Sequence, residues 1–178
     1  ESEPLSPIPT HENVPMEVAT LIEQQDALSE VVDHLAAADI VTYDTEFIGE
    51  ETYYPQLCLV QVGTKDRVFL VDPFAVKDLC PLFDVLASPE RTMLVHAGQQ
   101  DLKIMARILG RPAHAVVDTQ ILGGLAGLPW PCSLTKSIQC AIDAPLPPGM
   151  TFTAWDARPL SKRQLRYAAD DVRYLPVL

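Results

Sequence analysis

No stretch of the 178 residues is apolar for long enough to span a bilayer. The first residues carry no basic start followed by an apolar core, so no secretory signal is expected in them. An initiator methionine is missing too, and the N-terminus reads as cut from a longer chain. None of the four cysteines, Cys58, Cys80, Cys132 and Cys140, forms a C-x-x-C pair. That counts against a zinc site or a disulfide framework, and the expectation is buried free thiols of a cytoplasmic protein. Internal repeats and low-complexity tracts are absent. Positive charge is scarce: 13 Lys and Arg stand against 24 Asp and Glu, a formal net charge of -11. This balance counts against a broad basic face for nucleic acid. It leaves room for a site in which bound cations invert the local potential.

What is present is an ordinary globular composition, 48% apolar and 21% charged, at the length of one domain. Residues 1–15 hold Pro4, Pro7, Pro9 and Pro15 among acidic and polar residues and are expected to form a flexible lead-in. A short strand over 17–22 and a helix over 26–38 follow, the helix carrying Leu28, Val31, Val32 and Leu35 at helical spacing. Strands are predicted at 40–47, 57–62 and 67–71, where β-branched and aromatic residues concentrate. A helix over 77–86, a strand over 92–95, a helix over 99–109 and a strand over 115–117 come next, and a helical segment follows Asp118. Glycine and proline break the stretch 123–159, which is expected to hold one helix, 133–142, and a long irregular loop around 145–149. The last helix starts at Ser161, where Ser161-x-x-Gln164 forms a capping-box pattern, and is expected to run to the end of the chain. Strands in succession, then strands alternating with helices, predict an α/β domain with a mixed β-sheet flanked by helices.

Three acidic motifs carry the chemistry. Asp44 and Glu46 lie two apart on a strand and so project to one face. Paired carboxylates repel unless a cation sits between them, and a hard divalent ion such as Mg2+ suits oxygen donors. Taken alone, Asp-x-Glu equally describes a strand end with exposed acids. Tyr167 and Asp171 lie four apart on a helix and share a face. A carboxylate can hold a metal while a neighbouring phenol orients or deprotonates a water, although the pair alone also describes a surface helix with an aromatic anchor. Asp170 turns away toward Arg166. The third motif, His96-Ala97-Gly98-Gln99-Gln100-Asp101, follows a short strand and puts Asp101 in the first turn of a helix, where an acid also suits the helix dipole. Asp118 is expected to cap the next helix or bond to backbone.

Together DTEF, TYYPQLCLVQ, HAGQQDL, VVDTQIL, ARPLSKRQ and YAADDVRYL stand in an order that resembles the ribonuclease D family, the tyrosine subgroup of the DEDD 3'-5' exonucleases. The resemblance covers roughly residues 17–178. It implies a ribonuclease H-like fold, with residues 16–178 as the exonuclease domain. It also implies two divalent cations, Mg2+ or Mn2+, about 3.5–4 Å apart, held by Asp44, Glu46, Asp101 and Asp171. Asp44 would bridge both ions. Glu46 and Asp171 would complete the one whose water Tyr167 aligns, and Asp101 would hold the one that stabilises the leaving 3' oxygen. Phe47 and His96 would touch the terminal nucleotide. The implied substrate is a single-stranded RNA 3' end, including those of structured precursors, and the product a nucleoside 5'-monophosphate. No membrane and no protein partner is implied.

The chain departs from that family pattern at Gly49, Glu50 and Glu51, where family members often carry arginine. It departs again at 147–152 and Ala154, where many carry lysine and polar residues. Both changes remove phosphate-binding charge. The helical nucleic-acid-binding modules that commonly follow in the family have no counterpart in the chain. Exonuclease action on DNA, a catalytically weak nucleic-acid-binding module, and a hydrolase of small phosphate esters stand as alternatives. One expectation needs only the clustered acids. Millimolar Mg2+ or Mn2+ should raise the melting temperature measured in EDTA, because bound cations relieve carboxylate repulsion. Identical melting with and without metal would count against the cluster.

Overall fold

A computed structural model describes residues 19–49, 53–142 and 154–178. The proposed lead-in at 1–15, Glu50 and Glu51, and the stretch 145–152 fall outside the described residues.

A mixed sheet of six strands runs in the order β1-β4-β3-β2-β5-β6. The strands are β1 (Thr20–Ile22), β2 (Ile40–Ile48), β3 (Gln56–Gly63), β4 (Val68–Val71), β5 (Thr92–Val95) and β6 (Val116–Asp118). β2 is antiparallel to β3 and parallel to β5, and β3 is antiparallel to β4. The outer pairs, β1 with β4 and β5 with β6, are parallel. β2 is central because alternate residues serve opposite faces. Val41 and Tyr43 are wholly buried in the larger core, while Asp44 and Glu46 point the other way.

On the Val41–Tyr43 face lie α1 (Leu28–Ala36), α2 (Cys80–Leu86) and α3 (Gln99–Leu109). Leu35, Phe83 and Met105 from these helices pack on Val60, Phe69 and Met93 of the sheet. The opposite face is covered by α6 (Lys162–Arg173), where Ala168, Ala169 and Val172 join Trp155 and Leu160 over Cys58, Val68 and Leu70. The small alanines let the helix lie close to the strands. The remaining helices are α4 (Thr119–Leu125) and α5 (Leu134–Ile142), the latter packing Ile138 and Ile142 on Tyr174.

Several elements differ from the sequence reading. The helix expected from 77 begins at Cys80. Asp78 is diverted by Gln25, whose amide donates to its carbonyl at 2.9 Å and accepts its N–H at 3.0 Å. The Asp78 carboxylate then takes the Cys80 N–H at 3.0 Å, which fixes the start. At the other end the capping box forms as expected: Ser161 takes the Gln164 N–H, and the Gln164 side chain takes the Ser161 N–H. Helix α6 stops at Arg173, however, and a 3-10 turn, Leu175–Val177, follows. Only two of the four free thiols are buried, Cys58 and Cys132; Cys80 and Cys140 are exposed.

One polar contact ties the segment before α6 to the sheet. The Arg158 guanidinium donates to both Asp72 carboxylate oxygens, at 2.6 and 2.9 Å, and to the Cys58 carbonyl at 2.7 Å. It also donates to the Trp155 carbonyl at 2.8 Å and lies 4.6 Å above the Phe74 ring. Burial alone would raise the Asp72 pKa, but the Arg158 hydrogen bonds bring it below its ordinary value. Removing the guanidinium would strand a buried carboxylate. Arg158→Met should therefore cost about 3 kcal/mol, a fall in melting temperature of roughly 6–12 °C. Arg158→Lys should recover little of it, because an ammonium cannot make the two-point contact. Melting of both variants unchanged from the parent would remove the clamp from the stability of the fold.

Candidate active site

The carboxylates of the DTEF and YAADD motifs meet in space. A cavity of about 240 Å3 is lined by Asp44, Thr45, Glu46, His96, Leu134, Tyr167 and Asp171. Period two on β2 aims Asp44 and Glu46 at α6, and a register shift between Glu46 and Phe47 ends the regular pairing beside them. Four-residue spacing on α6 turns Tyr167 and Asp171 back toward β2, where phenol and carboxyl influence each other's ionisation. Asp170 faces elsewhere, 4.0 Å from Arg166 and 3.7 Å from Arg173. Two larger hollows, about 600 and 580 Å3, are lined by none of Asp44, Glu46, Asp101 and Asp171.

Asp101 is set behind the cavity rather than in its wall. It is buried, and its carboxylate accepts a short hydrogen bond from the Thr45 hydroxyl. The buried Tyr43 hydroxyl donates to the Asp101 carbonyl at 3.1 Å. The turn that delivers Asp101 is tight. Ala97 takes a φ of 55°, and a side chain at Gly98 would put its Cβ 2.6 Å from the Val95 Cβ. Asp118 holds this turn, accepting the N–H groups of Ala97 at 3.0 Å and Gly98 at 3.1 Å. It also accepts the Gln120 N–H at 2.9 Å and so caps α4. The backbone-bonding expectation for Asp118 therefore holds, and the residue also steadies the approach to Asp101.

His96 lines the cavity with both ring nitrogens engaged: Nδ1 lies 2.9 Å from the Thr119 hydroxyl and Nε2 2.9 Å from the Cys132 carbonyl. A carbonyl only accepts, so Nε2 carries a proton. Burial pulls the His96 pKa down. Phe47 is half-buried beyond the register shift and does not line the cavity. Trp155 was not singled out by the sequence. It is buried, and its ring centroid lies 6.3 Å from that of Tyr167. The Arg158 contact to its carbonyl thus reaches the cavity wall through Trp155. The signal for it was position alone, just ahead of the ARPL segment.

The electrostatics follow from this crowding. Burial, then repulsion from Asp101 and Asp171, raises the Asp44 pKa well above the carboxylate range. Burial, then Asp44 and Asp101, takes Glu46 to about 8. Burial, then Glu46 and Asp170, takes Asp171 to about 8. Burial raises Asp101 as well, against the hydrogen bond from Thr45. The Tyr167 phenol is pushed up by burial and then by Asp171, so it keeps its proton at neutral pH. Among the described residues, no three acidic, histidine or cysteine side chains are gathered to the spacing of one ion's ligands. A set of hard oxygen donors that resists ionising without positive charge is chemically matched to hard divalent cations.

The architecture defines a ribonuclease H-like nuclease fold. A family model described as 3'-5' exonuclease matches residues 19–178. Ribonuclease D of Desulfotalea psychrophila is 36% identical over 161 residues, 90% of this chain and 43% of that protein. The crystal structure of Escherichia coli RNase D, described as an exoribonuclease involved in structured RNA processing, superposes with a TM-score of 0.83. It is 35% identical and covers 89% of this chain, which spans 42% of it. Trypanosoma brucei RNase D in complex with RNA U12 shares the fold at a TM-score of 0.78 and 21% identity, over 89% of this chain and 60% of that one. The chain belongs to the 3'-5' exonuclease family, in its ribonuclease D branch, and spans about two fifths of the bacterial relatives it matches. Exonucleases of this family use divalent metal ions.

The raised carboxyl groups make stability depend on pH. Glu46 and Asp171 sit near 8 in the folded chain, against roughly 4 when unfolded. Between those values the folded state binds more protons, so its stability falls as pH rises through the window. In EDTA the melting temperature should drop between pH 5 and pH 8.5, and Asp171→Asn should flatten the drop. A parent profile that is level or rises over this range would contradict the crowding of these groups.

Proposed function

We propose that residues 16–178 form a metal-dependent 3'-5' exoribonuclease domain that removes nucleoside 5'-monophosphates from single-stranded RNA 3' ends, structured precursors included. The observation that carries the reading is the convergence of Asp44 and Glu46 with Tyr167 and Asp171 around one small cavity, with Asp101 directly behind it. Asp44, Glu46, Asp101 and Asp171 would hold two cations, Mg2+ or Mn2+. Such ions lower the pKa of water and offset charge on the scissile phosphate.

The protein's own groups then have distinct tasks. A phenol that keeps its proton serves Tyr167 as an orienting group rather than a base. Beside Asp171 in the cavity wall, its hydroxyl would align the attacking water. Trp155 packed on Tyr167 limits the phenol's swing. His96 has both ring nitrogens engaged and would offer its ring surface to the terminal nucleotide, which Phe47, next to Glu46, would also touch. The likeness to bacterial ribonuclease D supports RNA over DNA, and four free thiols suit a reducing cytoplasm.

The test uses a 5'-labelled single-stranded RNA and the same sequence in DNA, with Mn2+, Mg2+ or EDTA. A metal-dependent ladder shortening from the RNA 3' end is expected. Asp44→Asn should abolish it with the fold intact, and Tyr167→Phe should lower the rate by about 100-fold with metal binding retained. RNA that is bound but never shortened under any metal would favour a binding module instead. Faster shortening of DNA would overturn the sugar assignment.

A further inference from the structure

Gln61 lies on β3 directly opposite Asp44 on β2. Opposed residues of an antiparallel pair project to the same side, with Cβ atoms about 5 Å apart. Gln61 is fully buried, and neither its Nε2 nor its Oε1 has a hydrogen-bond partner. Thr42, two residues before Asp44 on the same face, is also fully buried with its hydroxyl unpartnered. The register leaves Gln61 few polar neighbours. Leu70 lies across from it on β4, and Leu59 and Gly63 flank it along β3. Thr42 faces Gly63, where a side chain would crowd its hydroxyl at 3.1 Å. Above this face lie the alanines and Val172 of α6. The polar groups within register distance are those of β2: Thr42, Asp44 and Glu46.

A buried primary amide with both ends unpaired is costly, and an apolar side chain of the same size would fill the space without that cost. The chemistry of the three unpartnered atoms is complementary. An amide nitrogen only donates, an amide oxygen only accepts, a carboxylate only accepts, and a hydroxyl can donate. A repositioned Gln61 side chain would complete a chain of hydrogen bonds from the Thr42 hydroxyl to Gln61 Oε1 and from Gln61 Nε2 to the Asp44 carboxylate. Resting on the proposed role of Asp44, we infer that Gln61 is a positioning residue, held by Thr42, which fixes the carboxylate of Asp44 so that its free oxygen lone pairs face the cleft and the cations bound there. Partners of this kind orient metal-binding carboxylates.

The experiment is calorimetric titration of the whole domain with Mn2+ alone, with melting in EDTA recorded alongside. Gln61→Met keeps the volume and removes the amide. It should bind Mn2+ at least about tenfold more weakly, while its melting temperature in EDTA stays level or rises. Thr42→Val should weaken Mn2+ in the same direction by a few-fold, and the double variant should be no weaker than Gln61→Met, because both act through one chain of bonds. On RNA, kcat should fall with KM unchanged. A Gln61→Met protein that binds Mn2+ like the parent would overturn the inference and leave the nuclease reading standing. If Gln61→Met does not fold, Thr42→Val decides, and parental Mn2+ affinity in it overturns the inference. A parent that takes up no Mn2+ would instead sink the reading of the cleft on which this one rests.

Discussion

Burial of Asp44, Glu46, Asp101 and Asp171, with the repulsion that crowding adds, is the constraint on which the arrangement turns. These groups come from three elements far apart in the chain, and the fold holds them close with no Lys or Arg among the described residues that line the cavity. Arginines in and just ahead of α6 are engaged by other acids: Arg166 and Arg173 lie beside Asp170, and Arg158 holds Asp72. A lysine or arginine reaching into the cleft would have been the simple remedy for stability. Its absence leaves positive charge to be supplied by something that arrives, and this is the physical content of the metal-dependent reading.

Holding repelling groups in place requires anchors outside the cleft. Asp118 grips three backbone N–H groups and fixes both the turn before α3 and the start of α4. Thr45 takes hold of Asp101 from the strand that carries Asp44. Arg158 pins the segment ahead of α6 to the sheet, and the capping box sets where α6 begins and therefore which residues face β2. The close approach of α6, made possible by Ala168 and Ala169, brings Tyr167 and Asp171 within reach of Glu46. None of these anchors brings an unpaired positive charge to the cleft, and Asp118 adds to the negative charge that Asp101 feels.

The sequence revealed those parts governed by local periodicity. Strand β5 and helix α3 have the expected limits, β2 differs by one residue, and the Ser161 cap is where the pattern placed it. The pairing of Asp44 with Glu46 and of Tyr167 with Asp171 follows from repeats of two and four, so their common orientation was legible. What depended on distant partners was not. The start of α2 is set by Gln25, more than fifty residues upstream, and the Asp72–Arg158 clamp joins positions 86 apart. Asp101 was expected beside the other acids, but its recess behind Thr45 depends on how α3 meets β2 across the sheet. The exposure of Cys80 and Cys140 likewise reflects which side of a helix found a neighbour.

The two halves of the cleft are separated by more than a hundred residues, with Asp44 and Glu46 in the first third of the chain and Tyr167 and Asp171 in its final helix. On the proposed roles, this has a consequence during synthesis. A ribosome releases β2 long before α6, so a growing chain holds cutting power only after nearly the whole domain has emerged and the last helix has docked. Truncated or stalled products carry lone carboxylates and no aligned phenol. On those roles they would leave intact the RNA around them, including the messenger from which they are being read.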